Sequence, residues 1–296
     1  MRNSDRDHAE PVAVQSGGSR IVVAVLAHNE ERRIGACLDS LPLDAADVEA
    51  HVIVNGSTDR TAHIARQYPV KVHDWKQGGK SRSWNRFALD QAHITADAFV
   101  FVDGDAEVSA GSIHALARTL AANRGANAVA AMPGNGRRAE HYRREMVAKH
   151  TMFGDLYALS GEFVARMRRS GIRLPEDLIG DDGLICALAK SDLAGESNWR
   201  EDRVPTCAQA SFLCEPVSLV SPSTLALQYR RMINYSVRHF QNRIITQIMR
   251  TTGPEGLPHR MAELYSEWLP AFEARKHPVW WWFDGRALER LRLASG

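Results

Sequence analysis

"IVVAVLA", residues 21–27, is a continuous apolar run rich in β-branched side chains, and it indicates the fold class. A strand that is apolar on both faces is typical of a parallel sheet with helices packed on each side. The alternation continues along the chain, with strands predicted at 50–55, 70–75 and 97–103 and helices at 30–41, 59–68 and 81–93. We therefore predict an α/β fold with a mixed, mainly parallel sheet flanked by helices.

The composition of the chain argues against some classes of function. The chain has 296 residues, of which 44% are hydrophobic, enough for a sizeable core. Thirty-seven basic and 35 acidic residues leave a net charge of +2, so no overall field favours nucleic acid as a partner. The four cysteines, Cys37, Cys186, Cys207 and Cys214, fit no zinc spacing, and we expect reduced thiols in a cytoplasmic protein.

Both ends of the chain depart from the alternating pattern. Residues 1–19 lack an apolar signal region and are predicted to be a flexible tail. Residues 221–250 predict a long helix with one apolar side, formed by Leu225, Tyr229, Met232, Phe240, Ile244 and Ile248. No run approaches the roughly 18 apolar residues of a membrane-spanning helix.

Three consecutive tryptophans, Trp280, Trp281 and Trp282, lie near the C-terminus and precede a short basic amphipathic segment. They are compatible with a lid, a partner surface, a buried aromatic cluster or a peripheral contact with the inner face of a membrane.

Polar clusters follow three of the predicted strands: "HNE" (28–30), "NGSTD" (55–59) and "DGD" (103–105). In parallel sheets, ligands bind at the carboxyl ends of the strands. The three loops are therefore expected to meet in one crevice.

Asp103 and Asp105, separated by Gly104, are candidate ligands of a divalent cation. An ion held by one or two carboxylates keeps positions open for water and phosphate oxygens. The alternative is a solvated turn, since Asp-Gly is common in hairpins. "GGKSR" (78–82), with Lys80 and Arg82 before a helix, suits a phosphate cradle but also a solvated loop.

Six segments together resemble a known family: "VAVLAHNEERRI", "VNGSTDRT", "GGKSRSWNRFALDQA", "FVFVDGD", the segment 159–189 containing "GDDGL", and "QYRRM". In order and spacing they resemble the family 2 glycosyltransferases, which have the GT-A fold, and the resemblance covers about residues 20–235. It implies a GT-A domain at 20–215, with a nucleotide-sugar half at about 20–110, an acceptor half at about 111–215, and a C-terminal helical extension at 216–296.

The resemblance also implies site residues. His28, Asn29 and Glu30 would lie around the base and ribose of the donor, beside Asn55 and Asp59. Asp103 and Asp105 would bind a manganese or magnesium ion on the diphosphate, near Lys80. Asp182 would be the general base, Asp181 a supporting group, and Gln228 with Arg231 would line the floor near the acceptor or diphosphate.

The implied activity is inverting transfer from a nucleoside-diphosphate sugar, expected to be UDP-linked, to a hydroxyl on a glycan, a lipid-linked acceptor or a small molecule.

Departures from the family pattern affect the expected nucleotide and the expected type of enzyme. Val54 and Asn55 stand where many relatives carry acids, which leaves the bound nucleotide open. Met232 replaces the tryptophan of the last element, and no membrane helices follow it, which argues against a processive membrane synthase.

Two other classes of protein remain open. A sugar nucleotidyltransferase shares the crevice and the metal, but usually has a Gly-rich first loop that "LAHNEE" lacks. The second alternative is a non-catalytic protein that binds nucleotide sugars. Further residues have both a functional and a structural interpretation. Glu162, Arg168 and Arg169 are acceptor contacts or a solvated face, and Trp84 and Trp199 are sugar platforms or core residues. His150 and His239 are ligands or structural residues, and Cys186 is a nucleophile or a core residue.

Overall fold

The computed structural model describes residues 20–214 and 222–295, so the predicted tail at 1–19 lies outside the described residues. The strands are β1 Ile21–Ala27, β2 Val48–Asn55, β3 Lys71–Trp75, β4 Ala98–Asp103, β5 Ala106–Val108, β6 Ala128–Pro133, β7 Leu156–Ser160 and β8 Thr206–Cys214. The α-helices are α1 Ile34–Asp39, α2 Thr61–Ala65, α3 Lys80–Ala88, α4 Ser112–Ala122, α5 Ala139–Lys149, α6 Gly161–Ser170, α7 Asp181–Ser191, α8 Pro222–Thr251, α9 Ala262–Trp268 and α10 Pro278–Ala294.

The eight described strands form one sheet in the order β3-β2-β1-β4-β7-β6-β8-β5. The first four are mutually parallel, as the sequence predicted. β7 runs antiparallel to both β4 and β6, whereas β6 and β8 are parallel. The predicted mixed, mainly parallel α/β fold is confirmed.

The predicted strands match to within two residues, but the helices predicted at 30–41, 59–68 and 81–93 are all shorter than predicted. In the first of these, residues 31–33 form turns, and the helix begins at Ile34. The backbone N–H groups of Glu30 and Glu31 donate to side chains of the next loop, Thr61 Oγ1 at 2.8 Å and Asp59 Oδ2 at 3.0 Å. The loop after β1 is thereby tied to the loop after β2.

Alternate residues of β1 enter two separate cores, one on each face of the sheet. Val22, Ala24 and Leu26 pack with residues of α3, α6, α7 and α8, whereas the odd-numbered residues of β1 pack with α1 and α4. All seven β1 residues are buried. The sheet is therefore covered on both sides, which explains why its strands are apolar throughout.

A buried aromatic stack fixes α3 against the sheet. The Trp84 indole N–H donates to Tyr157 Oη at 2.9 Å, and the Trp84 ring lies on Phe101 with centroids 5.4 Å apart. Trp84 is fully buried, which confirms its interpretation as a core residue. Since Lys80 begins the same helix, the stack also fixes the position of Lys80.

The predicted long helix is present as α8, but its apolar side is buried only in the second half. Phe240 and Ile244 are fully buried, whereas Leu225 is 51% and Tyr229 43% exposed. The first half extends away from the main core, and the Tyr229 ring meets Phe283 of α10 at 5.7 Å. The predicted helix is therefore confirmed, and the core covers only part of its apolar side.

α10 carries the three tryptophans, and two of them face solvent. Trp281 is 62% and Trp282 49% exposed, so a buried aromatic cluster is excluded for this pair. Trp280 is half-buried, with the Arg275 guanidinium 4.1 Å from the centre of its ring. Within residues 20–214 and 222–295, no helix is both long and apolar enough to cross a membrane.

Candidate active site

The loops after β1, β2 and β4 meet in one crevice of about 510 Å³, as the sequence predicted. The register explains the convergence, because Ala27 of β1 pairs with Val54 of β2, and Leu26 with Asp103 of β4. The residues that line the crevice are Leu26, His28, Glu30, Asn55, Gly79, Lys80, Asp103, Gly104, Asp105, Asn234 and Arg290.

Gly104 lets the end of β4 approach β1. A Cβ atom at this position would lie 2.8 Å from Ala27 Cβ, and the Gly104 N–H donates to Leu26 O at 2.8 Å. This contact holds Asp103 and Asp105 at the edge of the crevice. The pair is therefore part of the sheet's edge and not a freely solvated turn.

A single lysine links the carboxylates of the crevice. Lys80 Nζ lies 2.6 Å from Asp103 Oδ1 and 3.7 Å from Asp181 Oδ1. Burial alone would lower the pKa of Lys80, but Asp103 and Asp181 more than reverse this and hold it well above its usual value. The lysine is therefore a permanent cation between the strand β4 and the helix α7.

The carboxylates around Lys80 are in a low-dielectric environment. Burial raises the pKa of Asp103, and Lys80 opposes that rise while Asp155 and Asp105 add to it. Burial also raises the pKa of Asp181, with Lys80 opposing and Asp182 adding to the rise. The site thus carries more negative charge than its lysine alone neutralises.

Asp105 lies between two arginines and beside an acid. Arg33 Nη1 lies 3.4 Å and Arg231 Nη2 3.6 Å from Asp105 Oδ2. Burial, and secondly the charge of Asp105, raise the pKa of Glu30 to about 7. Carboxylate oxygens are the ligands that a hard divalent cation requires, so Asp103 and Asp105 fit an ion shared with a diphosphate.

Protein side chains alone do not form a closed metal site here. Among the residues that the structure describes, no group of three or more His, Cys, Asp or Glu side chains converges so that it could hold an ion. An ion at Asp103 and Asp105 would therefore need oxygen atoms from water or from a ligand to complete its coordination.

The loop residues predicted to contact the base divide into two groups. His28 and Asn55 line the crevice, and His28 Nδ1 donates to Asn55 O at 2.7 Å because a carbonyl can only accept. Asn29 accepts from the Thr58 N–H at 2.8 Å, and Asp59 accepts from the backbone N–H groups of Glu31 and Thr61, both at 3.0 Å. Asn29 and Asp59 therefore brace the loops outside the crevice lining.

The two acids of "GDDG" point to different partners, as expected for adjacent helical residues. Both are buried, and Asp181 faces Lys80 while Asp182 accepts from Arg238 Nη2 at 3.1 Å. Gly180 has φ +88, and a Cβ atom there would lie 2.4 Å from Arg238 Nε. The glycine therefore makes room for the arginine that orients Asp182.

Gln228 and Arg231 lie on the first half of α8. Arg231 lies beside Asp105, on the side of the crevice where the metal ion is predicted. Gln228 Nε2 is buried and, among the described residues, has no hydrogen-bond partner. An unpaired buried amide is costly, so a polar ligand group at this position would be stabilising.

The other polar residues for which the sequence left two interpretations lie outside the crevice lining. Arg168 donates to the carbonyl oxygens of Ala88 and Ile94 at 2.8 and 3.0 Å, so its guanidinium holds a loop. Glu162 is exposed on α6. The first residue of this helix, Gly161, donates its backbone N–H to Asp97 O just before β4, so Glu162 lies at the edge of the sheet opposite Asp103. The remaining residues of this group are also placed by the structure: Arg169 is exposed, Cys186 is buried, and His150 and His239 are half-buried.

Five residues of the site escaped the sequence analysis, among them Arg33 beside Asp105. Arg238 holds Asp182, and Asn234 and Arg290 line the crevice, with Arg290 Nη1 donating to Asn234 Oδ1 at 2.8 Å. Asp155 O accepts from the Asp103 N–H at 3.1 Å, and Cys214 Sγ donates to the Asp155 carboxylate at 3.1 Å. No spacing or motif in the sequence connects the other four positions with the strand ends.

Comparison with known structures identifies the fold. The chain is similar to a mannosyltransferase of Pyrobaculum calidifontis solved with GDP-Man and Mn²⁺, with a TM-score of 0.56 and 20% identity over 94% of this chain and 87% of that one. It is also similar to the glucosyl-3-phosphoglycerate synthase of Mycobacterium tuberculosis solved with Mn²⁺, UDP and phosphoglyceric acid, with a TM-score of 0.54 and 22% identity over 81% and 80% of the two chains. The predicted GT-A fold is confirmed.

Sequence comparison then identifies the family. Residues 22–175 match glycosyl transferase family 2, and since this is more than half of the chain, the protein belongs to that family. It is also 34% identical over 100 residues to the 4,4'-diaponeurosporenoate glycosyltransferase of Staphylococcus haemolyticus, a match that spans 32% of this chain and 26% of that protein. The chain thus covers about a quarter of the length of that curated relative.

Proposed function

We propose that the protein transfers a sugar from a nucleoside-diphosphate sugar to a hydroxyl acceptor with inversion at the anomeric carbon and with a divalent metal ion. The donor would bind in the crevice at the ends of β1, β2 and β4. Asp182 would be the general base.

The observation that carries this proposal is the position of Lys80. Its ammonium group joins Asp103, at the end of a strand in the predicted donor half, to Asp181, at the start of α7 in the predicted acceptor half. A diphosphate in the crevice would therefore lie within reach of a cation and close to the buried acidic pair. Such an arrangement suits transfer, because the diphosphate leaves the sugar carbon that the acceptor oxygen attacks, and the base must reach the proton of that oxygen.

In the proposed reaction the acceptor oxygen attacks the anomeric carbon while its proton moves to the Asp182 carboxylate. The bond from that carbon to the diphosphate oxygen breaks, and the electron pair leaves with the nucleoside diphosphate. Arg238 keeps the Asp182 carboxylate in a fixed direction. Lys80, and the guanidinium groups of Arg231 and Arg290, would stabilise the charge that develops on the leaving diphosphate.

Asp103 and Asp105 would hold the metal ion. When bound, the ion would neutralise charge on the diphosphate as a Lewis acid. Their carboxylate oxygens are the ligands that a hard divalent cation prefers, which supports this assignment.

For the nucleotide we propose a uridine donor, with His28, Asn29, Glu30, Asn55 and Asp59 forming or bracing the base and ribose site. The two similar structures were solved with GDP-Man and with UDP, so likeness of fold does not separate the two bases. Measured binding of each nucleotide will decide between them.

Membership of the family supports a transferase over a sugar nucleotidyltransferase. A non-catalytic binding protein is the second alternative, and turnover tests it. We further propose that the acceptor is a glycan, a lipid-linked molecule or a small alcohol, and that the exposed Trp281 and Trp282 contact a membrane surface.

The test is a transfer assay with UDP and GDP sugars, Mn²⁺ and a panel of alcohols, in which NMR reports the anomeric configuration of the product. We expect an inverted product, and a fall in kcat of at least about 100-fold for Asp182→Asn. Asp90→Asn is the matched control, since Asp90 is a surface residue paired with Arg173. Retention of configuration, or equal activity of Asp182→Asn and the control, would refute the proposed role of Asp182.

A further inference from the structure

A second, mainly apolar pocket of about 630 Å³ lies between α7 and α8, outside the donor crevice. Its floor is formed by Leu184, Ile245 and Met249, all at most 6% exposed. This volume is in the range of pockets that hold small organic ligands. Trp199, which is 40% exposed, adds an indole to its wall.

The pocket starts beside the acidic pair. Gly183, the next residue after Asp182, belongs to its lining. On the other wall, Asn242 lies one helical turn beyond Arg238, the residue that holds Asp182 at 3.1 Å. Thr246 and Arg250 follow at the same four-residue spacing, so they share a face of α8 with Asn242. The pocket therefore begins at the residue that follows the proposed base and runs along the groove between the two helices.

The rim of the pocket is polar although its floor is apolar. Arg250 Nε lies 3.2 Å from Glu196 Oε2 and links α8 to the segment that carries Trp199. The Trp199 indole N–H donates to Glu201 Oε1 at 2.9 Å, and Lys190 Nζ lies 5.1 Å from the centre of its ring. These contacts hold the indole as a preformed wall. An apolar body would gain free energy on entering, whereas a polyhydroxylated glycan would leave its hydroxyls unpaired at the floor.

We propose that this pocket binds the apolar body of the acceptor, an alcohol with a hydrophobic ring system or short hydrocarbon chain whose hydroxyl is directed toward Asp182. The inference rests on the proposed function and narrows its acceptor class. Glycans and small polar alcohols are then poor acceptors, because they leave the pocket unfilled.

The first experiment measures binding of 2-naphthaleneethanol to the full chain by quenching of tryptophan fluorescence. Ala187→Phe and Thr246→Phe place a ring in the pocket, and Gln247→Phe is the matched control, since Gln247 is an exposed neighbour outside the lining. We expect at least tenfold weaker binding in the two filled variants and no change in the control. Thr246 is exposed, so its variant folds even if Ala187→Phe does not. Absence of binding to the unaltered chain, or equal binding by all variants, would overturn the inference.

The second experiment measures release of nucleoside diphosphate from the donor, with 2-naphthaleneethanol or glycerol as acceptor. The inference predicts that the naphthalene alcohol accelerates release at least tenfold more than glycerol, and that Thr246→Phe abolishes this difference. If the alcohol binds in the pocket but gives no acceleration, the acceptor role is wrong. Donor binding is titrated in parallel. If the proposed function is wrong, donor binding or turnover will be absent with every acceptor. Binding of the naphthalene alcohol in the pocket is measured independently of both.

Discussion

Replacing Lys80 by methionine removes the cation between Asp103 and Asp181 while keeping an unbranched side chain. Breaking a buried ion pair by removing one partner typically costs about 3–5 kcal/mol. The Lys80 side chain is 33% exposed, so solvent screens part of this cost and we expect a loss of about 2–3 kcal/mol. For a protein of this size, that corresponds to a fall in Tm of about 3–5 °C.

A double-mutant cycle separates the ion pair from the loss of packing. Asp103→Asn removes the negative charge that Lys80 neutralises at 2.6 Å. The double variant should therefore be more stable than the sum of the two single changes predicts, with a coupling free energy of about 1–3 kcal/mol. Urea unfolding of the four proteins gives the free energy of unfolding, and constant m-values would show that the unfolded states are comparable.

The exposed pair of Arg173 and Asp90, 2.8 Å apart, provides a matched control. Surface pairs of this kind contribute about 0–1 kcal/mol, so its cycle should show little coupling. Additive effects of Lys80→Met and Asp103→Asn, within about 0.5 kcal/mol, would refute the argument that the lysine holds the crevice together.

Three further predictions concern other parts of the molecule. Arg290→Gln should weaken binding of nucleoside diphosphate about tenfold in calorimetry, because a charged hydrogen bond is lost at the crevice, whereas the exposed Arg292→Gln should not. Burial lowers the pKa of His51 from 6.5 to about 4. As the pH falls, His51 is therefore protonated in the unfolded chain before it is protonated in the folded one, and the free energy of unfolding should fall between pH 6.5 and pH 4. His51→Gln should flatten this dependence in thermal melts, and an unchanged slope would contradict the assignment. Gly104→Ala should destabilise the fold by about 1–3 kcal/mol in urea unfolding, since its Cβ would lie 2.8 Å from Ala27 Cβ, and wild-type stability would show that the β1–β4 contact is not tight.

The first half of the sheet could be predicted from the sequence because its physical signal is local. β1 and β4 are apolar on both faces, and only a sheet with helices on each side buries such runs. The polar residues that end these strands then share one edge by the geometry of parallel pairing. This reasoning placed His28, Asn55 and Asp103 together in the crevice.

The remaining parts of the site depend on contacts that no local pattern encodes. Arg290 reaches the crevice from α10, and Asp155 reaches Asp103 through the antiparallel strand β7. The same limit applies to the apolar side of α8, on which Leu225 and Tyr229 are exposed. Helical spacing identifies one side of α8, but only the tertiary packing determines how far along the helix that side is covered.

The measurement that tests the central claim most directly is calorimetric titration of the protein with UDP and GDP, with Mn²⁺ and with chelator, before and after Asp105→Ala. The account predicts that one nucleotide binds only with the metal ion, and that Asp105→Ala abolishes this binding while the Tm of the free protein changes little. Nucleotide affinity that neither the chelator nor Asp105→Ala alters would contradict a metal and diphosphate site at the end of β4.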